Sequence, residues 1–213
     1  MSESKFTIGV LASGRGTNLQ AIINAIERGV VTAQIGVVIS DKKDAKALER
    51  AREHHLPAFS VDPKGYPDRE SYDAAVVRIL TEHQVYLVIF AGYMRLITNP
   101  ILEAFPNRII NIHPSLLPAF PGLYAQRQAL AYGAKISGCT IHFVDAEVDH
   151  GPIISQISVP ILEGDTEESL TNRILIEEHR LLPRVIQAYV EGRLSVEGGP
   201  PPARIKVFQN GAL

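Results

Sequence analysis

The stretch VYLVIFA, residues 85 to 91, is apolar at every position. A strand with one wet face alternates polar and apolar residues, so an unbroken run of this length marks a strand covered on both faces, as in a parallel sheet between two layers of helix. Just upstream, Tyr72, Ala75, Val76, Ile79 and Leu80 recur at helical spacing. Before them come a short strand in LPAFSV (56 to 61), a helix in AKALERARE and a strand in QIGVVIS (34 to 40). The chain opens with a β-rich run, FTIGVLAS (6 to 13), followed by Leu19, Ile22, Ile23 and Ile26 on a helical face that stops at Gly29. Downstream, Asn99 and Pro100 read as a cap and first position of a short helix through ILEAF, and RIINIH (108 to 113) is the next strand. This alternation predicts an α/β fold with a right-handed, doubly wound, mostly parallel sheet and VYLVIFA near its centre.

After residue 113 the rhythm changes. SGCTIHFVD (137 to 145) and PIISQISV (152 to 159) are strands joined only by AEVDHG, too short for a parallel crossover, so an antiparallel pair is expected. A long helix follows, with Asp165 and Glu168 read as its capping box, Pro183 as a kink and Gly192 as its end. The segment RLSVEGGPPPARIKVF reads as two edge strands around a Gly/Pro turn.

With 213 residues, 46 % hydrophobic and 21 % charged, the chain can bury one sizeable core. A net charge of −2 gives no electrostatic reason for a nucleic-acid or anionic-membrane partner. Cys139, alone and within the apolar SGCTIHFV, reads as a buried strand residue and suits a reducing compartment. MSESKFTIGV resembles neither a signal nor a transit peptide, and no apolar run reaches the ~20 residues of a membrane span, so a cytoplasmic location is expected.

Two stretches carry chemistry. In ASGRGTNLQAI (12 to 22), between the first strand and helix, Gly14 and Gly16 admit close backbone approach. The free N–H groups at the helix start, near Thr17 and Asn18, favour an anion, most naturally a phosphate. Asp41 at the end of the second strand would suit a dinucleotide site, but Leu19 stands where GxGxxG needs its third glycine, and no GxxxxGK[ST] is present. A plain tight turn is the bland alternative.

In NIHPSLLP (111 to 118), Asn111 and His113 point to one face of a strand just as it runs out, where ligands of open α/β sheets sit, and Pro114 holds His113 extended. Asp149, on the tight connection between the later strands, is a third candidate; near His113 it would raise the imidazole pKa. A charged imidazole and an amide N–H₂ make a donor pair for a developing oxyanion. The competing readings are structural hydrogen bonding for Asn111 and His113 and a turn role for Asp149. His113, His142, Asp149 and His150 could be metal ligands, but no HxxxH or HxH pair gives ligand spacing, so no metal is expected.

Taken together, SGRGTNLQAI, AGYMRLI, NIHPSLLPAFPG, the downstream QAL and VDHGPII, in this order and spacing, resemble the glycinamide ribonucleotide formyltransferases of purine biosynthesis over nearly the whole chain. The resemblance implies the Rossmann-like formyltransferase fold and transfer of a formyl group from 10-formyltetrahydrofolate, as cosubstrate, to the amine of 5′-phosphoribosylglycinamide. It implies Asn111, His113 and Asp149 as the catalytic trio, Gly16, Thr17 and Asn18 on the ribonucleotide phosphate, and Glu178 on the glycinamide part. Arg69, Met94, Arg95, Leu96 and Ile97, with Asn111, would line the folate site.

On this reading residues 1–213 are one domain, with a phosphate-binding half (1–100), a catalytic and folate half (101–192) and C-terminal edge strands (193–213), acting as a monomer or homodimer. The chain departs from many relatives in having Tyr124 and Gln126 where they carry histidines, and His150 where a small residue is usual. If position 150 is left-handed, histidine tolerates it; otherwise its ring could titrate beside Asp149. The rivals are 10-formyltetrahydrofolate hydrolase, which normally has an added N-terminal domain and no need of a phosphate loop, and methionyl-tRNA formyltransferase, which would need a nucleic-acid-binding domain. Outside formyl transfer stand an NAD-dependent oxidoreductase and a nucleotide-sensing module.

Overall fold

A computed structural model describes residues 6–197 and 206–209. The chain divides into two compact units, Met1–Asn111 and Ile112–Leu213. In the first, β1 (Thr7–Leu11), α1 (Thr17–Glu27), β2 (Gln34–Ser40), α2 (Lys46–Glu53), β3 (Ala58–Ser60), α3 (Arg69–Glu82), β4 (Leu87–Phe90) and α4 (Asn99–Ala104) alternate as expected. They lead into β5 (Ile109–His113), whose last two residues belong to the second unit. The strand order is β3-β2-β1-β4-β5, with every neighbour pair parallel. The apolar run that decided the reading is β4, buried at all its positions between β1 and β5.

Helix α4 starts one residue off the expected frame. Thr98, not Asn99, is the N-cap, and Asn99 and Pro100 fill the first helical positions. Thr98 does not cap with its own side chain because Asp73 has claimed it: the Thr98 N–H and hydroxyl both donate to Asp73 Oδ2, at 2.6 and 2.7 Å.

The second unit holds α5 (Ala125–Tyr132), β6 (Ile136–Phe143), β7 (Ile153–Pro160) and α6 (Glu167–Val190), with β8 (Leu194–Glu197) and β9 (Lys206–Gln209) as a separate antiparallel pair. Strands β6 and β7 pair antiparallel, and α6 packs on both. The mostly parallel α/β class with antiparallel C-terminal strands is thus the observed one. The Gly/Pro turn foreseen at residues 198–205 lies outside the described residues.

One local expectation needs correction. The capping box of α6 is Thr166 with Ser169, each side chain accepting the other's backbone N–H. Asp165 instead takes the Leu162 N–H at 2.7 Å, the Ser169 hydroxyl at 2.7 Å and both amino groups of Arg173 at 2.7 and 3.0 Å, which together hold its carboxyl far below the usual range. Pro183 sits inside α6 without ending it: one helix of 24 residues runs through to Val190, and Gly192 follows in the left-handed region (φ 66°). Helix α5 had no sequence signal, since it buries only Ala125 and Ala129 and so lacks an apolar stripe.

The β6–β7 ladder is tightest at Gly138, where an added Cβ would sit 2.1 Å from the Ile157 carbonyl oxygen. Backbone cannot yield as a side chain can, so Gly138→Ala is expected to lower the unfolding free energy by about 3 kcal/mol or more. Urea titration of the two proteins checks this.

Candidate active site

In the first unit, β1 delivers the chain to Ser13, which is 3 % exposed, and then to the glycine loop. Gly16 is the N-cap of α1 with left-handed backbone (φ 69°, ψ 28°), and a Cβ there would lie 2.7 Å from Ala47 Cα. Glycine is therefore required on both conformational and steric grounds. Thr17 and Asn18 open α1, whose first N–H groups have no carbonyl one turn earlier and whose first turn carries no acidic residue. Gly16, Thr17 and Asn18 thus lie together at the start of α1.

Met94, Arg95, Leu96 and Ile97 form one loop beyond β4, fastened at both ends. Ser13 donates its N–H to the Gly92 carbonyl at 3.0 Å and accepts the Met94 N–H on its hydroxyl at 2.9 Å. Asp73 holds Thr98 at the far end. Met94 and Leu96 are 62 % and 53 % exposed, whereas the Arg95 guanidinium lies 4.6 Å from the centre of the Tyr72 ring. Arg69 opens α3 as an exposed residue behind the Asp68 cap. Ser13, Tyr72 and Asp73 were not singled out from sequence as parts of this site.

In the second unit the structure brings His113 and Asp149 together: Nδ1 to Oδ2 is 3.2 Å, with side chains 6 % and 11 % exposed. Asn111 precedes His113 by two positions on β5 and is half-buried. His113 Nε2 meets the Phe120 carbonyl at 2.9 Å, and the Gly122 N–H donates to Asp149 Oδ2 at 2.7 Å. The segment after Pro114 is stapled to the β6–β7 pair. Thr140 donates its hydroxyl to the Ser115 carbonyl at 2.7 Å and accepts the Leu117 N–H at 3.0 Å, while the Gln156 amide donates to the Leu117 carbonyl at 2.9 Å.

A second imidazole completes the group. His142 Nε2 stands 3.7 Å from Asp149 Oδ1, and its Nδ1 is 2.8 Å from the Phe143 carbonyl. Sequence reading had placed His142 only among possible metal ligands. The available signal was Thr140 and His142 on one face of an otherwise apolar strand. Glu178, on α6, is 4 % exposed, and its charge adds to burial in pushing the Cys139 thiol up to about 12. Cys139 is the buried strand residue expected. Among the described residues, no group of three or more His, Cys, Asp or Glu could hold a metal ion, and no helix is long and apolar enough to cross a membrane.

One condition set on the histidines is not met, and one expectation is overturned. The left-handed residue of the turn is Asp149 itself (φ 50°), not His150, whose Nδ1 meets Asp145 Oδ2 at 2.9 Å. And His113 is not raised. Burial pushes its pKa below 6.5, with His142 adding to that, and the opposing pull of the Asp149 carboxylate and the Phe120 carbonyl is smaller. Burial pushes the Asp149 carboxyl up, but the hydrogen bond from His142, the charge of His113 and the Gly122 N–H outweigh it, leaving the group below its usual value. At neutral pH the pair is a carboxylate beside a neutral ring.

The linkage sign follows from that direction. Below its ordinary pKa of 6.5 the unfolded His113 takes up a proton that the folded ring resists, so stability falls as pH falls through that value. Wild type is expected to lose stability relative to His113→Asn between about pH 7 and about pH 5, as read by denaturant unfolding at each pH.

Residues 6–186 match the formyl transferase family. The phosphoribosylglycinamide formyltransferase of Bacillus subtilis (strain 168) is 44 % identical over 178 residues, covering 84 % of this chain and 91 % of that protein. A trifunctional purine biosynthetic protein adenosine-3 of Drosophila pseudoobscura pseudoobscura is 45 % identical over 196 residues; this chain spans 14 % of that longer protein, of which 91 % of this chain finds a match. Among solved structures, glycinamide ribonucleotide transformylase 1 from Symbiobacterium toebii superimposes with a TM-score of 0.92 at 55 % identity, covering 96 % of this chain and 94 % of that one. The chain belongs to the formyl transferase family.

Proposed function

We propose that this chain transfers the formyl group of 10-formyltetrahydrofolate to the primary amine of 5′-phosphoribosylglycinamide, a formyl-transfer step of purine biosynthesis. The observation that carries the reading is the buried His113–Asp149 contact, two residues past Asn111 at a strand end. Gly16, Thr17 and Asn18 hold the ribonucleotide phosphate, Glu178 the glycinamide part, and Arg69, Met94, Arg95, Leu96 and Ile97, with Asn111, the folate cosubstrate. No metal takes part in this scheme.

The neutral amine attacks the formyl carbon, forming a carbon–nitrogen bond as the carbonyl electrons move onto oxygen. The Asn111 amide and His113 Nε2–H donate to that oxyanion, which replaces the Phe120 carbonyl as the acceptor at Nε2. A neutral ring can donate to only one of the two acceptors that flank it, and a protonated ring satisfies both. The charge growing on oxygen therefore favours a doubly protonated ring, whose second proton, at Nδ1, is the one shed by the attacking nitrogen and relayed by water, with Asp149 stabilising the imidazolium. The proton shed by the attacking nitrogen passes through the His113–Asp149 pair and water to the folate nitrogen, whose bond to the formyl carbon breaks. The products are the formamide and tetrahydrofolate.

Following folate absorbance with and without phosphoribosylglycinamide tests this. Loss of 10-formyltetrahydrofolate that depends on the amine is expected. Loss without the amine would make the chain a hydrolase, and no loss in either mixture would overturn formyl transfer.

A further inference from the structure

The glycine loop is held from behind by α2, and the attachment points are carbonyls. The Ala47 N–H, in the first turn of α2, donates to the Gly14 carbonyl at 3.1 Å. One turn on, Arg50 Nε donates to the Arg15 carbonyl at 2.9 Å. In a trans peptide the carbonyl and the following N–H point in opposite directions, and the described cis bond, Leu117–Pro118, lies elsewhere. Tying the Gly14 and Arg15 carbonyls to α2 therefore turns the N–H groups of Arg15 and Gly16 away from it. They add to the first N–H groups of α1, and successive N–H groups of this kind form an anion-binding concavity.

Arg50 is itself held in place. Its Nη1 donates to Gln20 Oε1 at 3.0 Å, and the Gln20 amide reaches Asn24 Oδ1 at 2.9 Å and His54 Nε2 at 3.1 Å. His54 Nδ1 in turn meets Glu27 at 2.9 Å. The guanidinium fork thus serves two partners at once, Gln20 on α1 and the Arg15 peptide, which a lysine cannot do with the same geometry.

We propose that Arg50 is a positioning residue for the phosphate of the ribonucleotide: by gripping the Arg15 carbonyl it aims the Gly16 N–H at the anion. The proposal rests on the assignment of that phosphate to Gly16, Thr17 and Asn18.

The rival is a purely structural tie between α1 and α2, and a pair of variants separates the two. Gln20→Leu cuts the link to α1 and leaves the Arg15 carbonyl in the grip of Arg50, while Arg50→Met removes both. With intact protein, KM for phosphoribosylglycinamide and Ki for inorganic phosphate are expected to rise about tenfold or more in Arg50→Met. In Gln20→Leu both are expected to stay within about threefold, and KM for 10-formyltetrahydrofolate should hold in either variant. Arg50→Lys, which keeps a donor, should recover part of the loss. Equal changes in the two variants, or an unchanged phosphate Ki in Arg50→Met, would overturn the role of Arg50 alone. Wild type that phosphate does not inhibit would overturn the phosphate assignment, and this inference with it.

Discussion

His113→Asn is expected to lower kcat by at least about a hundredfold while substrate binding survives, because removing one donor to a developing oxyanion typically raises the barrier by about 3 to 4 kcal/mol. The side chain is buried and flanked by acceptors on both ring nitrogens, so asparagine keeps a polar group of lower reach in the same place. It cannot take up a proton as the ring does. Single-turnover rates at saturating substrates, with equilibrium binding of each ligand, separate the barrier from affinity. A rate within a few fold of wild type would remove His113 from the chemistry.

Asp149→Asn is expected to cost at least about a hundredfold in kcat as well, for a different reason. The carboxylate is the charge that makes a protonated His113 tolerable in a buried site, and it accepts the Gly122 N–H at 2.7 Å. Asparagine is nearly isosteric and tolerates the left-handed backbone that Asp149 adopts at φ 50°, so the turn survives the change. What is lost is the charge. With it gone, the His113 pKa falls further, so the ring takes up its second proton only at lower pH, where the attacking amine is itself protonated. A rate within a few fold of wild type would remove Asp149 from the chemistry.

The alternating α/β frame was legible because its signals are strong: a fully apolar strand at 87–90, regular helical spacing in α1 and α3, and a connection between β6 and β7 too short to cross over. Helix α5 was not, since two buried alanines leave no periodic stripe. The true cap of α6 was missed because Asp165 and Thr166 are both good caps, and Arg173, eight residues on, decides between them. Within the site, Asn111 and His113 could be paired from strand periodicity alone. The direction of the His113 pKa could not, since it depends on the depth of burial, set by Thr140 and Gln156 fixing the loop beyond it. His142 was hidden for the same reason: its partner Asp149 arrives from across a turn.

Ser13 fixes where ligand-driven motion can occur in the first unit. Swinging Gly92–Met94 outward would break two hydrogen bonds at once, at roughly 1 kcal/mol each, so that end of the loop behaves as a pivot. Thr98 is pinned just as firmly by a buried carboxylate. Under the proposed assignment of this loop to the folate, whatever give a bulky heterocycle needs on entering must come from the three residues between the two anchors, Arg95, Leu96 and Ile97, and amide exchange should be fastest there.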